Sequence, residues 1–510
     1  MQGKIFAAVH IGSYAIEMKL FSMSAKTGIQ EIDHIKARME LGRDVFRTGK
    51  IQYEFIDGIC MILNDFVRIM KEYKTDSCRI CATAALREAK NSLIVLEQIR
   101  VRTGLSVEIL SNSEQRYYEY KSIALKENEF QKIIQKGTAI VDVGEGNIQL
   151  SLFDKDKLIT TQSILLGAFR MQERVSAIEN KTLNTENIIE EMIENELRDF
   201  KQMYIKDRRI ENIIAVGDPV SYMIKLKGTA GSITKEAFLS FYDQIRSLSP
   251  ADLADNLDIA PEIAAITLPS LIVYKRFIED TDAQCLFTPG SHLTDGLAYE
   301  YAENRKLVTL THNFENDILA AAKSTAKRYL NSKSHTAALE KAALAIFDGM
   351  KKVHGLGARE RLLLQIAVIL HDCGKYISMS RNADCSYHII MATEIIGLSH
   401  KEREIIANTV KYNTADWESF EDISARRLYG KKDYLLTAKL TAILRLANAL
   451  DRSHRQKFKS VKASLRDSDL IVTVESAEDM TLEMTSFATK TAFFEEVYSI
   501  RPVLKQKKIL

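Results

Sequence analysis

Asp142, Glu145 and the glycines around them carry the first chemical signal in this sequence. In IVDVGEGNIQL, residues 140–150, a β-branched run ends at Asp142 and then breaks at Gly144 and Gly146. A strand that runs into a glycine turn offers backbone N–H groups with no side chain in the way, a ready cradle for phosphate oxygens. Glu145 lies between the glycines and puts an anion where a phosphate would sit. Like charges about 4 Å apart cost about 4 kcal/mol at an effective dielectric of 20. A second turn, in HIGSY, places Gly12 and Ser13 after an apolar strand at 4–11.

These residues need elements to position them. Residues 4–11 and 15–22 read as a β-hairpin closed at Gly12-Ser13, and 54–73 carries apolar positions at helical spacing. CRICATAAL is a short strand entering a loop, NSLIVLEQIRVRTG a capped helix ended by Gly104, SVEIL a strand, and 113–125 a helix. Strand, glycine turn, strand and further strand then recur from 139. Two such halves facing across a cleft describe an actin-like, ribonuclease H-like architecture, in which the glycine turns pinch phosphates between them. Beyond about 306 strand signals give way to successive amphipathic helices, and the last 50 residues return to strand alternation around one helix. The expected fold is therefore α/β: two actin-like lobes, 1–128 and 129–305, an all-α domain over 306–456, and a small α+β domain over 457–510.

The bulk numbers exclude several classes. A chain of 510 residues is too long for one core. Its 70 basic and 68 acidic residues nearly cancel, which argues against nucleic-acid wrapping or attraction to a membrane surface. No uncharged run approaches the roughly 18 residues of a membrane span, and the charged start is no signal peptide. The six cysteines have no framework spacing, and Cys78–Cys81 is a lone CxxC, so a reducing cytoplasm is expected.

Three stretches together resemble a known family. ATAALREAKNSLIVLEQIRVRTGLSVEILSNSEQ, residues 82–115, is similar almost residue for residue to the pattern ATSALRDAxN…TGLxIEVISGEEEA of the Ppx/GppA phosphatases. VDVGEGNIQL falls where that family has VDIGGGSTEL, and SILLGAFRMQE where it has SLPLGAVRLTE. The helical region resembles the HD-like domain of the longer members through HGLGARERLLLQIAVILHDCGKYIS and LRLANALDRSH. The resemblance implies an exopolyphosphatase or guanosine pentaphosphate phosphohydrolase, with polyphosphate or a guanosine polyphosphate as its partner. It also implies a divalent cation, Mg2+ or Mn2+, and a homodimer. Gly12, Ser13, Gly144, Gly146 and Asn147 would face phosphate, joined by Arg87 of ALRE and by Gly217 in AVGDPVSY, where the family has a third, GGT loop.

The catalytic positions depart from the pattern. The family's catalytic Glu in SGEEEA aligns with Gln115, the Glu closing GGGSTE aligns with Gln149, and the Asp of its first loop is His10. A Gln can hold water but cannot take its proton, so general-base help worth about 10²–10⁴ in rate is expected to be lost. Asp142 remains, and either Glu114 or Glu145 would serve as a re-sourced base. Asp218 and Pro219 alter the third loop, Pro219 removing an N–H donor. A hydrolase of attenuated turnover and a polyphosphate or (p)ppGpp sensor both follow from these changes. In the helical region His335, His371, Asp372 and Asp451 fit the His…His-Asp…Asp order of an HD site, whose ligand types suit a divalent transition ion. Catalysis there is a third reading.

Overall fold

The computed structural model describes residues 4–127, 129–176, 185–206, 208–217, 220, 231–259, 261–308, 312–424 and 430–508. The chain divides into two compact units, Met1–Ile318 and Leu319–Leu510.

In the first unit the strands β1 (Lys4–Ile11), β2 (Ala15–Ser24) and β3 (Gly28–Arg38) form an antiparallel meander. Helices α1 (Leu41–Thr48) and α2 (Tyr53–Glu72) lead to β4 (Ser77–Ala82), which pairs parallel to β1. Then come α3 (Ala84–Glu88), α4 (Ser92–Thr103), β5 (Glu108–Ile109) and α5 (Asn112–Lys126). The sheet order is β3-β2-β1-β4-β5. Gly104 stops α4 in the left-handed region at φ 72°, its N–H donating to Arg100 O. The start of α4 differs from the expected cap: the Asn91 side chain is spent on both polar groups of the Ile51 backbone, at 3.0 and 2.8 Å.

The second lobe repeats this plan. After the short helix Phe130–Ile133, β6 (Thr138–Val143), β7 (Ile148–Asp154) and β8 (Lys157–Ile164) form the meander, and α7 (Ala168–Ser176) follows it. For continuity the short helix is α6. β9 (Asn212–Val216) lies parallel to β6, as β4 does to β1. β10 (Ser232–Thr234) and β11 (Cys285–Phe287) complete the order β10-β11-β9-β6-β7-β8. Read from β8 to β11, this is the order of the first sheet with β10 added at the edge. Each sheet carries its own apolar core: Val9, Ile16, Leu63 and Ile80 are among the buried residues of the first, Val141, Leu150, Ile213 and Leu271 of the second. Each therefore has the buried face that an α/β layer requires.

The second unit is helical over most of its length, with the helices Lys333–Gly349, Ala358–Leu370, His400–Thr414 and Lys431–Ala449 packed together. It ends in a three-stranded sheet of β12 (Ser460–Arg466), β13 (Asp469–Ser476) and β14 (Arg501–Lys508). Two short helices carry the crossover from β13 to its parallel neighbour β14. Among the described residues no helix is long and apolar enough to cross a membrane.

Candidate active site

The two glycine turns are built alike. Gly12 N–H donates to Ala15 O at 2.9 Å, and Gly144 N–H donates to Asn147 O at 3.0 Å. Both turns line one cleft, together with Ser13, Glu145, Gly146, Asn147 and Gly217. The shared geometry pairs the lobes position by position: His10 with Asp142 before the turns, Ser13 with Glu145 within them, and Glu17 with Gln149 after them. Gly146 is crowded: a Cβ there would lie 2.5 Å from Phe46 Cζ of α1, so the ring would have to shift to admit a side chain. Gly217 ends β9 at φ 128°, a conformation that favours glycine. Asp218 and Pro219, which follow it, lie outside the described residues.

Below each turn lies a cross-strand pair. On the first sheet His10 stands opposite Glu17. Glu17 is 6% exposed, and three imidazoles surround its carboxylate: His34 Nε2 at 3.3 Å, His10 Nδ1 at 3.6 Å and His292 Nδ1 at 3.6 Å. Burial alone would raise its pKa, but the bonds to His10 and His34 and the charge of His292 hold it well below the usual carboxylate range. His10 Nε2 also meets Thr83 Oγ1 at 2.9 Å. On the second sheet Asp142 stands opposite Gln149. Gln149 is buried, and neither its Oε1 nor its Nε2 has a hydrogen-bond partner. It is not among the residues lining the cleft.

The remaining candidates separate by helix face. Glu114 is committed to the N-terminus of α5: its Oε2 accepts from Ser111 N at 2.9 Å and Ser111 Oγ at 2.8 Å, a capping box. Glu114 is not among the residues lining the cleft. Gln115 lines the cleft. Arg87 does not line it; its Nη1 donates to Leu110 O at 2.8 Å and Gln115 Oε1 at 3.3 Å. These two bonds tie it to the wall of the cleft. Asn147 lines the cleft while its Nδ2 donates to Ser163 Oγ at 2.8 Å.

Glu119 is the residue that sequence reasoning missed. It lies one helical turn after Gln115, lines the cleft, and accepts from Gln115 Nε2 at 2.8 Å. Its carboxyl also hydrogen-bonds that of Asp142. Burial raises both groups, and repulsion from Glu119 and Glu145 adds to the rise of Asp142. Its i,i+4 spacing from Gln115 was the available signal, but the spacing does not say which face of α5 meets the cleft.

Comparison with known proteins is decisive at this point. The model of the Ppx/GppA phosphatase family matches residues 21–305, and that of Ppx/GppA phosphatase, domain III, matches 319–490. The chain belongs to the Ppx/GppA phosphatase family. It is 20% identical over 480 residues to a guanosine-5'-triphosphate,3'-diphosphate pyrophosphatase of Photobacterium profundum, an alignment covering 93% of this chain and 92% of that protein. Its fold is shared with the Aquifex aeolicus Ppx/GppA family member (18% identity, TM-score 0.50, 59% of this chain and 98% of that one). It is also shared with an exopolyphosphatase from Cytophaga hutchinsonii (13% identity, TM-score 0.53, 60% of this chain and 100% of that one). As a member of this phosphatase family the protein is a hydrolase.

The part matched by the Ppx/GppA domain III model holds a second cluster. His335, Asp372 and His454 each present a donor atom within 4.8 Å of the others. The imidazoles of His335 and His454 stack with centroids 3.6 Å apart. His335 Nε2 and His371 Nε2 are buried without a hydrogen-bond partner. Burial drives the His371 pKa down to about 4, so its ring is neutral at pH 7. Asp451 stands behind this group rather than in it: it accepts from His335 Nδ1 at 2.7 Å and from Gln456 N at 2.7 Å. The third residue grouped with His335 and Asp372 is His454.

Proposed function

We propose that this protein removes the terminal phosphate from a linear phosphoanhydride, pppGpp or inorganic polyphosphate, in the cleft between its two glycine turns. The observation that carries this is the pair of identically closed turns, at Gly12 and Gly144, lining one cavity whose wall holds Glu119 and Asp142. Backbone donors from two lobes would grip successive phosphates, and the carboxyls would act on water. Gln115 and Gln149 cannot accept a proton, so turnover is attenuated relative to a site with carboxylates there. A polyphosphate or (p)ppGpp sensor is the alternative.

Four carboxyls, Glu17, Glu119, Asp142 and Glu145, line the cleft against one lysine, Lys36, and two histidines. A bare polyanion would be repelled, so Mg2+ or Mn2+ carried on the substrate's own phosphates would offset the charge. A resident ion does not fit: among the described residues, no three His, Cys, Asp or Glu donors of the cleft converge closely enough to share one.

The deciding experiment measures phosphate release from pppGpp and from long-chain polyphosphate with each cation, beside a binding titration of each ligand. Release of one orthophosphate per pppGpp supports the hydrolase. Tight binding with no release supports the sensor, and binding of neither ligand refutes both.

The unbonded, buried Nε2 of His335, grouped with Asp372 and His454, favours a second reading for the helical unit. There His335, His371, Asp372 and His454 would hold a divalent transition ion, with Asp451 fixing the His335 tautomer. Such an ion would supply Lewis acidity or a structural clamp. Metal content after dialysis, and its loss in His335→Ala, test this without an activity assay.

A further inference from the structure

Gln115 is fixed at both ends. Its Oε1 accepts from Arg87 Nη1 at 3.3 Å, and its Nε2 donates to Glu119 Oε1 at 2.8 Å. The amide therefore holds the next carboxyl along the helix in place. The other partner of Glu119 is Asp142, the residue that enters the second glycine turn. Two carboxyls in a hydrogen bond share one proton, because both cannot ionise in contact. Glu119 and Asp142 line the cleft with both turns.

We propose that Glu119 is the general base of this cleft, supplying from one turn along α5 the carboxylate that position 115 lacks. Asp142 keeps the shared proton and through it donates a hydrogen bond to Glu119, and Gln115 with Arg87 behind it positions the base. The proposal rests on the hydrolase reading above and says where its base comes from. In the step, a water oxygen forms a bond to the terminal phosphorus while one of its protons passes to Glu119. The bridging P–O bond breaks and its electron pair leaves on the shortened phosphate chain. Orthophosphate is the second product.

The surroundings agree with this role. His10 from β1 and Arg116 from α5 favour the ionised form of Glu119, as do the bonds from Gln115 and Asp142, against burial, which raises its pKa. Asp142 faces Glu119 and Glu145 and is pushed much higher, chiefly by burial and then by those charges. The Gln115 Nε2 donor 2.8 Å from Glu119 Oε1 favours the carboxylate form on Glu119, and a base with a raised pKa suits work near neutrality.

The test uses the full-length protein with Mg2+, phosphate release from pppGpp and polyphosphate between pH 5 and 9, and calorimetric binding. Glu119→Gln is expected to lower kcat by about 100-fold or more, to leave Kd within a few-fold, and to abolish the acid limb of the pH–rate profile. Glu119→Asp should retain part of the rate with that limb preserved. Adding Gln115→Glu to Glu119→Gln should recover at least about tenfold, because a carboxylate returns to the same helix face. A Glu119→Gln protein that turns over within threefold of the parent, acid limb intact, overturns the assignment and leaves the hydrolase standing. A parent that binds both ligands but releases no phosphate at any pH overturns the base and the hydrolase together. Should Glu119→Gln fail to fold, Glu119→Asp decides: an unshifted rate and profile would overturn the proposal.

Discussion

Restoring Glu at position 115 is the change the family pattern invites, and the structure predicts that it is harmful on its own. Gln115→Glu replaces the Nε2 donor, 2.8 Å from Glu119 Oε1, with a carboxylate oxygen. At that separation two charges repel by about 6 kcal/mol at an effective dielectric of 20. Arg87, 3.3 Å from the other terminal atom, returns about 5 kcal/mol on the same scale. Loss of the hydrogen bond to a charged acceptor adds about 1.5–3 kcal/mol. The net expectation at pH 8 is a loss of about 2–4 kcal/mol. The variant raises native-state carboxyl pKa values above their unfolded ones. Its penalty is therefore greatest at high pH and fades as the pH falls and the carboxyls take up a proton. Urea denaturation of parent and variant at pH 8 and pH 5 reads this directly, as a drop in midpoint that is larger at pH 8 with m unchanged. A variant as stable as the parent at pH 8, releasing phosphate faster, would refute the contact between residues 115 and 119 and the reasoning built on it.

Arg87→Ala should lower kcat about tenfold or more through loss of Gln115 placement while leaving ligand Kd within about twofold, read by phosphate release and calorimetry. Gly146→Ala should cost about 1–3 kcal/mol of stability, because the new methyl meets Phe46, and Phe46→Leu should recover part of it in urea melts. The His371 pKa is depressed to about 4, below the ordinary 6.5, so the stability it contributes is present above pH 6.5 and lost as pH falls toward 4. That loss amounts to about 3 kcal/mol, and His371→Gln should flatten this part of the stability–pH curve. Affinity for polyphosphate without a divalent cation should rise between 50 mM and 500 mM salt, measured by titration, because salt screens the repulsion from the four carboxyls of the cleft.

Several features were legible in the sequence because their causes are local. The strand–glycine–strand units at 4–24 and 138–154, the Gly104 stop and the helical run beyond 314 each follow from residue order within a few positions. The duplicated sheet order does not follow from those units alone, since β4 pairs with β1 (Phe6 with Ser77) and β9 with β6 (Thr138 with Asn212) across long stretches of chain. The site was only half legible. Gly12, Gly144 and Asp142 announce themselves by type and spacing, and the cleft gathers them. Which acid could serve as base was decided elsewhere. Glu114 and Gln115 are neighbours in sequence but about 100° apart around the helix. One caps the chain entry at Ser111, and the other reaches the cleft with Glu119. The bond from Glu119 to Asp142 joins an element of one lobe to an element of the other, and the ring of imidazoles about Glu17 draws on β1, β3 and the start of the helix Leu293–Asn304. In the helical unit, order along the chain pointed to Asp451, but only packing reveals that it bonds the back of His335 while His454 stacks on its face. Periodicity fixes which residues share a face; tertiary packing decides what that face meets, and the chemistry of this cleft depends on the second.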